Sequence, residues 1–285
     1  MGEGSETVCK LCGHTQFKTL FDEAFRVLLC RRCGLIFLVG ADRDHRKYYS
    51  EEYGYRSDEA GHFAENERHI ESVLRWVMGH LPKTEGLTLL EVGCNAGFLL
   101  RKFEEKGIDV FGIEPNREAV EFARHVNELS EVELSMLEDV EGEGRLYDAV
   151  ILIQTFEHLA DPLRGLAKIK DLLKEDGLLF IEVPNFYSPT GFYLHETDRG
   201  RRPSPNHLFV YSPETLSAFA RRAGFSVRRM SRTLHDIRMI AEIDGAREDI
   251  GFGSYYKALT YFHLLPVVNK TIDVFRFFRT GLLRV

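Results

Sequence analysis

The spacing of apolar positions changes several times along this chain, and each change marks an element. Between His62 and Leu81 the apolar residues Ile70, Val73, Leu74, Val77, Met78 and Leu81 recur at three and four, which predicts an amphipathic helix ended by Pro82. From Thr88 onward, short apolar runs alternate with helical patterns. The runs are Thr88 to Val92, Val110 to Ile113, Val132 to Leu134, Tyr147 to Ile153, Leu178 to Val183 and Phe225 to Arg232, with a last strand near Ile237 to Ile243. This alternation predicts an α/β fold built on a mostly parallel seven-stranded sheet with helices on both faces. Ser212-Pro213-Glu214 reads as a helix start and Gly224 as its end. Upstream, residues 8 to 38 read as a small β-ribbon, with Val27-Leu28-Leu29 and Leu35-Ile36-Phe37-Leu38 as strands. The expected units are a ribbon over 1–40, a tyrosine-rich connector and lead-in helix over 41–82, the α/β domain over 83–243, and a helical tail over 244–285.

Four cysteines give the ribbon its chemistry. Cys9-x-x-Cys12-Gly13 and Cys30-x-x-Cys33-Gly34 are two knuckles of the kind that together hold one tetrahedral zinc through four thiolates. With every ligand position filled, such a zinc is structural. Composition adds limits. At 285 residues and 44% hydrophobic content the chain can bury one full α/β core and carry a small appendage. A net charge of −7 argues against a duplex nucleic-acid partner, which needs a basic stripe. Neither a leader pattern nor a transmembrane segment is apparent, so a cytoplasmic protein is expected.

The α/β domain opens on Leu89-Leu90-Glu91-Val92-Gly93-Cys94-Asn95-Ala96-Gly97, and Glu114 ends the next apolar run. A strand, a glycine loop, a helix and a second strand ending in an acid form a nucleoside half-site, in which the acid takes the ribose hydroxyls. A pyrophosphate needs a G-x-G-x-x-G loop. Here the loop is acid-x-G-x-x-x-G, and Glu91 repels a diphosphate but suits a cationic ligand. At these residues the chain resembles the class I S-adenosylmethionine (SAM)-dependent methyltransferases. Asn95 stands where many members have glycine, and asparagine best tolerates the same turn. The resemblance implies a Rossmann-like domain with Glu91, Gly93, Cys94, Asn95, Gly97, Glu114, Leu137, Glu138 and Gln154 around SAM. Cys94 reads as a packing residue rather than a nucleophile.

The residues leaving the fourth strand should face the reactive end of the cofactor. There Phe156-Glu157-His158 with Asp161-Pro162 is similar to the E-H-x-x-D-P motif of small-molecule methyltransferases, and His207 resembles the histidine that follows the fifth strand in ubiquinone-type O-methyltransferases. The resemblance implies Glu157, His158 and His207 as the acceptor-side set. Two routes remain open: a divalent cation such as magnesium or manganese held by the three, or a histidine acting as general base. Gln154 stands where metal-assisted relatives carry an acid, which favours the second. The alternative reading of Glu157-His158 is a helix cap. Zinc-bearing members of the family also carry a flap, which the Tyr48, Tyr49, Tyr53 and Tyr55 segment resembles.

The expected reaction is therefore methyl transfer to a small-molecule hydroxyl, most simply that of a sugar or glycoconjugate. Arg199, Arg201 and Arg202 in the long 184–206 excursion suit a phosphate-bearing or acidic acceptor, or else form a solvated run. The aromatic tail from Phe252 suits core packing, a homodimer contact or a membrane surface. Rival readings are an RNA-modifying enzyme that uses the zinc ribbon for recognition, and a catalytically silent SAM-binding module.

Overall fold

The two cysteine knuckles fold alike. A computed structural model of the chain describes residues 7–22, 25–40, 47–52, 59–82, 86–140, 144, 146–186 and 206–244. In each knuckle the glycine after the second cysteine sits at positive φ, 70° at Gly13 and 75° at Gly34, and donates its N–H back to the carbonyl of the first cysteine. A side chain strains that conformation, which is why the motif ends in glycine. The four sulfurs converge: Cys9 Sγ lies 3.6 Å from Cys33 Sγ, and Cys12 Sγ 3.5 Å from Cys30 Sγ. Zinc–sulfur bonds of about 2.3 Å in a tetrahedron place sulfurs about 3.8 Å apart, so the thiols fit zinc with little adjustment. We expect one zinc per chain. Elemental analysis well below that, with the four thiols free to react, overturns the assignment.

Strands β1 (Phe17–Asp22), β2 (Arg26–Cys30) and β3 (Ile36–Val39) form the ribbon as an antiparallel meander. A short π-helical turn at Tyr48–Glu52 precedes α1 (Glu59–Met78), which begins slightly before the apolar periodicity does. The α/β unit then runs β4 (Thr88–Val92), α2 (Phe98–Glu104), β5 (Asp109–Glu114), α3 (Arg117–His125), β6 (Val132–Leu134), β7 (Tyr147–Ile153), α4 (Pro162–Leu172) and β8 (Leu173–Pro184). It closes with β9 (Phe209–Val210), α5 (Pro213–Arg222), β10 (Phe225–Arg232) and β11 (Asp236–Ile243). Helix starts follow the sequence signals. Asp161 accepts from the Arg164 N–H, and Ser212 forms a capping box with Thr215 ahead of Pro213.

The seven-stranded sheet has the order β10-β11-β8-β7-β4-β5-β6, with β11 alone running opposite to its neighbours β8 and β10. Alternate strand residues serve two cores. Leu90, Val92, Val150, Leu152, Leu179 and Ile181 point to the side of α4 and α5. Leu89, Ala149, Ile151, Leu178 and Phe180 point to the side of α1, α2 and α3. Strands covered on both faces are apolar throughout, so the sequence shows runs and not alternation. The chain order reverses between β4 and β7, and in such sheets ligands bind at the carboxyl ends beside that reversal.

One strand departs from the expected division of the chain. β9 joins the ribbon sheet, in the order β1-β2-β3-β9, although it lies in the sequence of the α/β domain. The ribbon also shares the α4 and α5 core through Cys9, Leu11, Cys30, Cys33 and Leu35, and the Arg222 guanidinium donates to the Leu11 carbonyl at 2.7 Å. Among the described residues no helix is long and apolar enough to cross a membrane. Arg199, Arg201, Arg202, Tyr53, Tyr55 and the tail from Phe252 lie outside the described residues.

Candidate active site

A cleft of about 830 Å³, counting its open mouth, lies at the carboxyl ends of β4, β5 and β7. Its floor is the loop after β4. Gly93 and Gly97 adopt positive φ, and Asn95 does so at 50°, as its tolerance of that region allows. A side chain at Gly93 has no room, because a Cβ there falls 2.5 Å from Thr155 Oγ1. The Glu114 carboxylate ties the floor together: Oε2 accepts the Asn95 N–H and Oε1 the Asn116 N–H, both at 2.9 Å. Burial pushes its pKa up while these two N–H groups pull it down, and each oxygen keeps a lone pair for a ligand. Glu91 lies beneath, buried, with Oε2 lacking a hydrogen-bond partner. Burial and the nearby Glu114 charge hold it well above the usual carboxylate range.

The expected nucleoside residues do not all meet in the cleft. Gly93, Asn95, Glu114, Leu137, Glu138 and Gln154 line it, joined by Ser135 and Met136. Glu91, Cys94 and Gly97 do not line it. Cys94 packs into the α2 and α3 core with its thiol pKa raised by burial, so its part is to fill space. Gly97 sits against Leu129 and Ala123 and starts α2.

His158 lines the cleft away from Glu114, while Glu157 and His207 do not line it but offer ligand atoms within 4.8 Å of one another and of His158. Phe156–His158 is a single 3-10 turn, and Asp161, not Glu157, caps the helix that follows. The His158 and His207 rings are 4.8 Å apart between centroids. His158 Nδ1 lies 2.8 Å from the Asn206 carbonyl and 2.7 Å from the Tyr49 hydroxyl. Donation from Nδ1–H to the Asn206 carbonyl leaves Nε2 its lone pair, the form a general base needs, whereas donation from the Tyr49 hydroxyl to Nδ1 puts the ring proton on Nε2. Nε2 faces Glu157 Oε1 at 3.9 Å. Glu157 is 1% exposed and both its oxygens lack hydrogen-bond partners. Burial, aided by the Glu182 and Asp236 charges, raises its pKa to about 8, so it is mostly protonated at neutral pH.

Gln154 explains itself through neighbours that sequence reasoning missed. Its amide nitrogen lies 2.9 Å from Asp236 Oδ1 and 3.4 Å from Glu182 Oε1. Glu182 also meets His69 Nε2 at 2.9 Å and the Arg238 guanidinium. Burial alone pushes Glu182 up, but His69 and Arg238 pull it below the usual range, while Glu182 in turn raises His69. An acid at position 154 would add a third carboxylate to this pair, whereas an amide donates to both. One signal was legible: Glu182 is a lone charge inside the apolar run Leu178 to Val183. Tyr49 lines the cleft from the connector, and Asn206 bonds the Tyr48 hydroxyl at 2.7 Å.

A family model described as a methyltransferase domain matches residues 60–229. The chain is 28% identical over 181 residues to the mitochondrial ubiquinone biosynthesis O-methyltransferase of Bos taurus, taking in 58% of this chain and 49% of that protein. It is 27% identical over 152 residues to the tRNA U34 carboxymethyltransferase of Desulfotalea psychrophila, covering 51% of this chain and 47% of the relative. The chain thus spans about half the length of the curated relatives it matches. The structure of the PH0226 protein from Pyrococcus horikoshii OT3 superposes with a TM-score of 0.54 at 14% identity, covering 70% of this chain and 96% of the other. That likeness concerns the fold alone.

Proposed function

This chain belongs to the methyltransferase-domain family, and from that premise we propose that it transfers the methyl group of SAM to a hydroxyl of a small-molecule acceptor. The observation that carries the reading is one cleft lined by Gly93, Asn95 and Glu114 and also by His158, with Glu157 and His207 clustered behind that histidine. A relative named as an O-methyltransferase supports oxygen as the atom methylated. A sugar or glycoconjugate is the acceptor class we assign, on the resemblance to zinc-ribbon methyltransferases.

The residues at hand fit SAM. Gly93, Asn95 and Glu114 line the cleft where the nucleoside would lie, and each Glu114 oxygen keeps acceptor capacity beyond its one backbone N–H. Glu114 would accept the ribose hydroxyls, and Leu137 and Glu138 would border the adenine. SAM supplies the methyl on a sulfonium, which makes it a ready leaving group. What remains for the protein is to hold the acceptor in line and remove its proton. His158 Nε2 is the base we assign, oriented by Asn206 and Tyr49, with His207 beside it. A divalent cation held by Glu157, His158 and His207 is the second route. Two features favour the histidine: Gln154 is committed to Asp236 and Glu182, and Glu157 is held as the neutral acid.

The test is transfer of labelled methyl from SAM to a panel of sugars, glycoconjugates, phenolic small molecules and RNA. Label on a small-molecule hydroxyl is the expected result. Label in RNA, with strongly salt-dependent binding, establishes the RNA-modifying reading instead. Preference for NAD over SAM overturns the proposal, and tight SAM binding without transfer to any member points to a silent module.

A further inference from the structure

The ribbon reaches the active site through β9. Two residues after His207 the chain enters that strand, where Phe209 pairs with Phe37 and Val210 with Ile36, and the Leu38 N–H donates to the Leu208 carbonyl at 2.9 Å. β3 in turn pairs with β2, which ends on Cys30, and Cys33 lies in the turn between them. Two residues, Gly34 and Leu35, thus separate the last thiolate from the strand that holds the His207 segment. Beyond β9, Tyr211 stacks under Phe156 with 5.1 Å between ring centroids, directly before Glu157 and His158. The segment from Asn206 to Tyr211 therefore supplies His207, the carbonyl that orients His158, and the ring beneath the 3-10 turn. No residue of the ribbon itself lines the cleft among the described residues.

We infer that the four-thiolate ribbon is a positioning element for the acceptor-side histidines: its metal-clamped β2–β3 hairpin is the template onto which Leu208 to Val210 add. Main-chain pairing fixes register at each residue, so the template sets where His207 and the Asn206 carbonyl stand relative to His158. The nucleoside end has no such pairing with the ribbon: the Gly93–Gly97 loop follows β4, Glu114 ends β5, and among the described residues neither takes a hydrogen bond from β9. The functional weight of this coupling rests on the reading of His158 and His207 as acceptor-side groups.

The experiment uses the full chain in two perturbed forms. Leu38→Pro removes the N–H that bonds Leu208 without touching a cysteine or a cleft residue, and zinc withdrawal by a strong chelator leaves the sequence unchanged. Three quantities are read: amide exchange at residues 208–210, the imidazole NMR signals of His158 and His207, and S-adenosylhomocysteine affinity by calorimetry. Exchange should quicken by about 100-fold or more at 208–210. Both imidazole signals should move, nucleoside affinity should stay within about twofold, and zinc added back to the withdrawn protein should restore the signals. Unmoved imidazoles in both forms overturn the inference. Loss of nucleoside binding in parallel overturns it too, since the ribbon is then one part of a single cooperative fold. If His158→Ala and His207→Ala leave turnover intact, it is the acceptor-side reading that fails, and the NMR result still decides the positioning.

Discussion

Replacing His158 by alanine lowers turnover by about 100- to 10,000-fold, the range expected for a general base, and His207→Ala falls in the same range. SAM affinity is unchanged in both. The size follows from the geometry. His158 is held through Nδ1 by the Asn206 carbonyl and the Tyr49 hydroxyl, with Nε2 3.9 Å from Glu157 Oε1, and the tautomer that donates Nδ1–H to the carbonyl leaves Nε2 free to take a proton. Removing the ring removes the base we assign, the one histidine of the pair that lines the cleft. Initial rates under saturating SAM, paired with calorimetry, measure both quantities. A chelator arm separates the two routes. With the histidine as base, mild chelation that leaves the four-thiolate zinc in place does nothing. A fall in activity that magnesium or manganese restores assigns the cation route instead. Both alanine variants at full turnover, without a chelator effect, mean that neither ring is catalytic.

Glu114→Ala weakens SAM by about 2–3 kcal/mol, or roughly 30- to 150-fold, as expected for lost hydrogen bonds to a charged acceptor. The structure adds a second reason for a large effect. The same carboxylate receives the Asn95 and Asn116 N–H groups, so the variant also loosens the loop that holds Asn95 at positive φ. Titration of the parent and the variant with S-adenosylhomocysteine checks this. Unchanged affinity removes Glu114 from the site.

Much of the fold was legible because its signals are local. The glycines of both knuckles and of the β4 loop are demanded by backbone conformation at single positions, and Asp161-Pro162 and Ser212-Pro213 state their helix starts within a few residues. The apolar runs likewise declare strands covered on both faces. β8 is the informative miss. It begins at Leu173, well before the apolar run at Leu178, because Tyr147 pairs with Leu173 and Lys174 reaches Asp148 at 2.8 Å. Pairing partners made a strand of residues whose own pattern does not announce one.

The sequence by itself determined the sheet, the two knuckles, the glycine loop and its acid, and singled out Glu157, His158 and His207, which the fold brings within 4.8 Å of one another. Each depends on residue type within a short span, where sterics and periodicity act directly. Tertiary structure alone decided three things. It took Glu91, Cys94 and Gly97 out of the cleft lining, it gave Gln154 two carboxylates to serve in place of a ligand, and it moved β9 into the ribbon sheet, where Leu208 meets Leu38. These contacts join residues that lie far apart along the chain. A two-residue strand or a single amide carries no periodicity, so its role is set by which partners folding brings within hydrogen-bond reach.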